Sequence, residues 1–158
     1  MADITYIPTD EGWLYLASLE DLCTRKIVGF HMGERMTRVC PRALDQAYRH
    51  QRPKGTVYCI IRIAVARYAS SDYQTQLRQY GMTGNMSRKG NCYDNACIES
   101  FHNVLKKEPA SFAQIQNQER SQGEDFEYIT CFYNGKRIHS SIGYLTPNQC
   151  EHMICLAA

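Results

Sequence analysis

The spacing of apolar residues predicts a domain that begins with three strands. Residues 3–8, 13–19 and 26–32 are rich in aromatic and aliphatic side chains, and a polar turn separates the first two stretches. Such runs favour strands, and their close succession predicts an antiparallel meander. A helix is expected next, from a cap at Thr37 to about Arg49, because its apolar positions recur at helical spacing.

Shorter strands and helices alternate in the second half of the chain. Residues 56–58 open a fourth strand, residues 71–80 form a helix, and residues 82–86 form a fifth strand. The last clear helix is capped by Asp94 or Asn95, whose side chains can accept from first-turn amides. This order of strands and helices predicts an α/β fold.

The last helix carries two stripes. Its predicted core face consists of Ala96, Ile98, Phe101, Val104 and Leu105. Another stripe carries Glu99, then His102 or Asn103, then Lys106, because residues three, four and seven apart share a helix face. Spacing alone allows two interpretations. The stripe is either an ordinary solvated surface, or a carboxylate that holds a cation beside a lysine that holds a phosphate.

Composition gives little information about the functional class of the protein. The chain has 158 residues, enough for one domain with its own core, and its 44% hydrophobic and 22% charged content is ordinary for a globular protein. The net charge of +2 does not by itself indicate a nucleic-acid partner. The eight cysteines form no CxxC pair, and the sequence shows no signal peptide or membrane-length apolar run. We therefore expect a cytoplasmic protein whose reduced thiols pack mostly as small hydrophobes.

One long phrase is distinctive: residues 87–101 spell Ser-Arg-Lys-Gly-Asn-Cys-Tyr-Asp-Asn-Ala, two further residues, and Glu-Ser-Phe. It resembles the phrase that carries the third catalytic acid of bacterial insertion-sequence transposases. Their catalytic core is of the retroviral-integrase, ribonuclease-H-like type. Further matches to that family lie at residues 3–7, 12–17, 25–29, 132–134 and 143–147 and at Arg137 and His139.

The resemblance implies a fold and a domain division. The expected fold is an α/β, ribonuclease-H-like integrase catalytic core with a mixed five-stranded sheet flanked by helices. Residues 1–108 would form this core, and residues 109–158 a helical and basic C-terminal extension. Family members carry an upstream region of helix-turn-helix character before the first acid, so the resemblance implies an N-terminally truncated core here.

The resemblance also implies a chemistry, which is DNA transposition by metal-dependent phosphoryl transfer. Such enzymes hold two Mg²⁺ or Mn²⁺ ions with converging carboxylates. Carried over by position, Asp3 is the first catalytic acid and Glu99 the third, and both are implied metal ligands. The implied partners are DNA, meaning insertion-sequence ends and target, and a further transposase copy, either another copy of this chain or an intact transposase.

Basic residues complete the implied site. By default they are solvated surface, but the resemblance favours DNA contact. These residues are Arg88, Lys89, Lys106, Lys107, Lys136, Arg137 and His139.

The chain departs from the family at the second catalytic acid. Two observations place that acid at Ile63. The sequence downstream matches the family, and the family has 35 residues between its second and third acids, a spacing that residues 64–98 reproduce between Ile63 and Glu99. Written as codons and shifted by one base, residues 59–67 spell the family phrase His-His-Ser-Asp-Arg-Gly-Ser-Gln. Residues 109–125 likewise yield a family-like helix in a shifted frame. We infer two local frame-shifted segments.

The predicted function is therefore that of a transposase catalytic core, inactive because an isoleucine side chain cannot bind a metal. Two alternatives remain open. One is a non-catalytic remnant that binds nucleic acid or dimerises, and the other is an unfolded decay product without function.

Overall fold

A computed structural model describes residues 1–9, 12–53, 57–61, 71–86, 96–107 and 127–157, with residues 57–61 and Met86 described by their backbone alone. The strands are β1 (Ala2–Thr9), β2 (Gly12–Glu20), β3 (Ile27–Gly33), β4 (Val57–Ile61) and β5 (Met82–Met86). The α-helices are α1 (Met36–Gln51), α2 (Ser71–Gln79), α3 (Ala96–Lys107) and α4 (Pro147–Ala157). A π-helical segment spans Tyr128–Tyr133, and a 3₁₀ turn spans Ser140–Ile142.

The strands form one mixed sheet in the order β3-β2-β1-β4-β5. The first three make the predicted antiparallel meander, with Asp3 opposite Ser18. β4 then pairs in parallel with β1 through Ala2 and Ile61, and β5 pairs in parallel with β4. Among the described residues, the pairing between β1 and β4 joins Ala2 to Ile61.

Helices cover both faces of the sheet because alternate strand residues point to opposite faces. α1 and α2 cover one face over a cluster that includes Ala17, Leu44, Tyr73 and Leu77. On the other face, α3 and the π-helical segment pack over a second cluster. Its buried members are Ile7, Leu14, Leu16, Ile27, Met32, Ile98, Phe101, Leu105, Tyr128, Ile129 and Tyr133.

Helix α1 follows its prediction except at its first turn. Ala43, Leu44 and Ala47 are buried as expected. The prediction of Thr37 as the cap is wrong: Arg35 is the N-cap, and the helix already includes Met36. The physical reason is that the Arg38 amide donates to the Arg35 carbonyl at 3.0 Å, which closes a turn that already contains Thr37.

Close packing of α1 on β3 requires a glycine. A Cβ atom placed on Gly29 would lie 2.3 Å from the Ala43 carbonyl oxygen and 2.7 Å from the Ala47 Cβ. No rotamer change can relieve a clash with backbone, so any side chain at Gly29 would force the helix off the sheet.

The C-terminal residues are tied to the core by hydrogen bonds. The Asn134 side chain accepts from the Ile27 amide at 2.9 Å and donates to the Ile27 carbonyl at 3.0 Å, so it extends the edge of β3. Thr146 and Gln149 cap α4 reciprocally, each accepting from the other's amide, at 3.2 and 2.9 Å. Pro147 is the first residue of α4, where its missing N–H has no cost. The family-like stretches at residues 132–134 and 143–147 thus have local structural roles.

The expectation for the cysteines is corrected in part. The six described cysteines are free thiols. Among them, however, only Cys40 is buried, while Cys97 and Cys150 are half-buried and Cys23, Cys131 and Cys155 are exposed. Most therefore lie outside the two buried clusters, because their positions fall on the outer faces of helices and turns.

Within the described segments, no helix is both long enough and apolar enough to cross a bilayer. The predicted caps Asp94 and Asn95 and the segment 109–125 lie outside the described residues.

Candidate active site

Asp3 lies on β1, on the face of the sheet that α3 covers. Its side chain is 1% exposed. Ser18 stands directly opposite on β2 and is fully buried. Opposed residues of an antiparallel pair project to the same face, so the carboxylate and the hydroxyl are neighbours.

His102 of α3 lies over this pair. Its Nε2 is 2.7 Å from the Ser18 Oγ, and its Nδ1 is 3.7 Å from the Asp3 Oδ2. The imidazole is buried, with 6% exposure. The three residues form a buried polar group between α3 and the sheet, and His102 joins the helix to the sheet across 84 positions of sequence.

The prediction for α3 is corrected at two positions. Ile98, Phe101 and Leu105 are buried as expected, but Ala96 is exposed because it begins the helix. His102, assigned to the second stripe, is buried, since Asp3 and Ser18 give both its nitrogens polar neighbours. Helical periodicity could not predict the burial of His102, because it gives no information about the polar strand residues that the helix packs against.

Glu99 and Lys106 flank His102 on the same helix. Glu99 precedes it by one turn and is half-buried, so it lies on the same side of α3. Lys106 is exposed, and its Nζ lies 5.1 Å from the centroid of the Tyr6 ring. A cation at this distance is attracted to the ring face. Lys107 is exposed beside it.

The basic residues near the C-terminus differ in exposure. Lys136 is exposed, whereas Arg137 and His139 are half-buried. The His139 ring packs edge-on against Tyr133 at 5.0 Å. Burial, then the charges of Arg137 and Arg25, lower the pKa of His139. At neutral pH His139 is therefore neutral.

Glu20 is a buried acid that the sequence analysis did not single out. It ends β2 and is 2% exposed. Burial raises its pKa to about 7, although Arg25, whose Nη1 lies 3.6 Å from the Glu20 Oε1, acts in the opposite direction. Its only sequence signal was an acid at the end of an apolar strand.

The described part of the chain does not supply the implied two-metal site. It contains no group of three or more His, Cys, Asp or Glu side chains that could hold a metal ion. His102 already lies against the Asp3 carboxylate, where a hydrated cation would need room. Ile63, Arg88 and Lys89 lie outside the described residues. A Mg²⁺ pair therefore does not fit the residues described.

Two family models with the description "Integrase core domain" match the chain, one over residues 1–92 and the other over residues 80–147. The chain belongs to the integrase core domain family. This confirms the resemblance to insertion-sequence transposases with an integrase core.

The chain is also similar in sequence to individual curated proteins. "Transposase InsF for insertion sequence IS3A" of Escherichia coli (strain K12) is 44% identical over 152 residues, which cover 95% of this chain and 52% of the relative. "Insertion element IS600 uncharacterized 31 kDa protein" of Shigella sonnei is 44% identical over 149 residues, which cover 93% and 54%. The chain thus spans about half the length of these relatives.

Two solved structures share the fold. A chain of the simian T-cell lymphotropic virus intasome, in complex with the PP2A regulatory subunit B56 gamma, has a TM-score of 0.75 at 14% identity, covering 96% of this chain and 52% of that one. The catalytic core domain of BIV integrase has a TM-score of 0.63 at 14% identity, covering 96% and 94%. The predicted ribonuclease-H-like integrase core is confirmed.

Proposed function

We propose that this chain is the catalytic-core portion of an insertion-sequence transposase, acting in DNA transposition, and that its own DNA cutting and joining chemistry has been lost. Membership of the integrase core domain family and 44% identity to InsF support the first part. The observation that carries the second part is Ile63, which stands at the position of the second acid.

The assignment of roles rests on position. Asp3 and Glu99 correspond to the first and third acids, and they come from β1 and α3, which pack together. Family members of this kind depend on divalent metal ions, Mg²⁺ or Mn²⁺. Phosphoryl transfer by two metals needs ligands from several elements at once. Without the second carboxylate, Asp3 and Glu99 could hold at most one ion weakly, with water as the remaining ligands.

DNA is the proposed partner, with a second transposase chain as a further one. Lys106, Lys107 and Lys136 are exposed and could contact phosphate. Arg88 and Lys89 are assigned to DNA on the resemblance alone. Phosphate contacts give affinity without sequence information, so binding by this chain should be salt-sensitive and largely nonspecific. We place the protein in the cytoplasm, where bacterial DNA lies.

A strand-transfer assay on insertion-sequence ends with Mg²⁺ or Mn²⁺ tests the loss of chemistry. Three proteins are compared: the natural chain, Ile63→Asp, and a version in which residues 60–67 carry the shifted-frame phrase. Each is also fused to the upstream region of an intact family member. We expect product only from the rewritten, fused protein, because Val65 resists the backbone angles that the family's glycine permits.

Glu99→Gln in each protein is the matched control, since it keeps the side-chain size and removes the charge. Product from the natural chain that Glu99→Gln abolishes would overturn the proposal. A cooperative thermal transition followed by circular dichroism is recorded for each protein, and its absence from the natural chain would instead favour an unfolded decay product.

A further inference from the structure

A groove rich in arginine opens where the start of α1 passes the end of the edge strand β3. Its volume is about 420 Å³. Its charged and titratable lining residues are His31, Glu34, Arg35, Arg38 and Arg42. Three guanidinium groups stand against one carboxylate, so the groove attracts anions.

The arginines lie along one side of α1. Arg35 is the N-cap, and Arg38 and Arg42 follow three and seven positions later, a spacing that returns to the same helix face. All three side chains are exposed. At 1.5 Å of rise per residue, the row spans roughly 10 Å, which is longer than a single phosphate group.

His31 orients one of these side chains. The Arg42 Nη1 lies 3.2 Å from the His31 Nε2. Burial, and then the charge of Arg42, lower the pKa of His31, so its ring is neutral at neutral pH and its Nε2 can accept from the guanidinium. A guanidinium that is already oriented loses less conformational freedom when it binds a ligand.

The beginning of α1 adds a second source of attraction. The Arg38 amide already donates to the Arg35 carbonyl, but the Met36 and Thr37 amides precede it in the first turn, where the positive end of the helix dipole lies. The first turn of α1 contains no acidic residue, and among the described contacts the Arg35 side chain makes no capping bond. A phosphate oxygen in the groove can therefore meet backbone amides as well as arginines.

We propose that this groove binds the sugar-phosphate backbone of DNA, through successive phosphates, at a surface separate from Asp3. The groove lies at the start of α1 and the end of β3, and its lining residues do not include Asp3, Ser18 or His102. This inference rests on the DNA binding proposed above and deepens it by naming a surface for the DNA, and it holds whether or not the chain can join DNA.

The test is fluorescence anisotropy of a short labelled DNA duplex with the full 158-residue chain, repeated over a series of salt concentrations. Arg38→Gln/Arg42→Gln removes two charges from the groove. Arg49→Gln/Arg78→Gln is the matched control, since it removes two exposed arginines, one from the same helix α1 and one from α2, and neither lines the groove. Thermal transitions confirm that both variants are folded.

We expect the groove variant to bind DNA on the order of 10-fold more weakly. The slope of log K against log salt is negative, and it should become less steep by about 2, since each lost phosphate contact removes about 0.9 from its magnitude. The control should keep the natural slope. Arg38→Lys/Arg42→Lys should retain most of the slope, because it keeps both charges.

Equal losses in the groove variant and the control would overturn the proposal, because net charge alone would then explain binding. Displacement of the duplex by inorganic phosphate at the same total phosphate concentration would also overturn it, by assigning the groove to a small anion. A groove variant with unchanged DNA affinity but altered sedimentation would assign the groove to a protein surface instead.

Discussion

The hydrogen bond between Ser18 and His102 should be one of the strongest single links between α3 and the sheet. Ser18→Ala removes the hydroxyl that lies 2.7 Å from the imidazole Nε2. Both residues are buried, so water cannot replace the lost partner without opening the layer. Removing one member of a buried hydrogen bond costs about 1–3 kcal/mol, and we expect a loss of about 2 kcal/mol in the free energy of unfolding.

A double-mutant cycle separates this bond from other effects of the substitution. His102→Leu fills similar space and offers no polar atom. In that background Ser18→Ala should cost close to nothing, because the hydroxyl has already lost its hydrogen-bond partner. The coupling free energy between the two positions should therefore be about 2 kcal/mol.

Urea unfolding followed by circular dichroism measures each variant, with midpoints compared at a common m-value. Ser100→Ala is the matched control, because Ser100 lies exposed on the same helix, and it should change stability by less than about 0.5 kcal/mol. If Ser18→Ala costs the same in the natural and the His102→Leu backgrounds, the bond does not contribute and the reasoning fails.

Three further predictions concern the edges of the core. Asn134→Ala removes the hydrogen-bond partners of the Ile27 amide and carbonyl, so it should lower the free energy of unfolding in urea by about 2–5 kcal/mol. A loss below about 0.5 kcal/mol would show that these bonds do not hold the C-terminal residues to the core. Thr146→Ala removes the α4 cap and should cost about 1 kcal/mol, whereas Thr146→Ser should be nearly neutral; equal costs for the two variants would contradict the cap. Burial raises the pKa of Glu20 in the folded state to about 7, against 4.5 for a solvent-exposed glutamate, so the folded state binds its proton more tightly. Stability from this group is present below about pH 4.5 and is lost as pH rises through 7. Relative to Glu20→Gln, the natural chain should lose up to about 3 kcal/mol between pH 4 and pH 8. Parallel pH profiles for the two proteins would refute the assignment.

The local pattern of apolar residues predicted several strands and helices, and some of their buried positions, from the sequence alone. Runs rich in aromatic and aliphatic residues predicted the meander of β1 to β3, and the apolar spacing of α1 predicted that Ala43, Leu44 and Ala47 are buried. These predictions succeed because strand and helix periods are set by neighbouring residues in the chain. The long phrase at residues 87–101 identified the family for a different reason, since a match of that length does not arise from periodicity.

Tertiary structure alone decided which polar residues meet. His102 is buried because Asp3 and Ser18 project from two strands beneath it, and Asn134 is buried because the edge of β3 offers it an amide and a carbonyl 107 positions away. The arginine groove likewise needs α1 to pass the end of β3. Each arrangement depends on contacts between residues far apart in sequence, whose register and distance are fixed by packing of the sheet and helices and not by any local period.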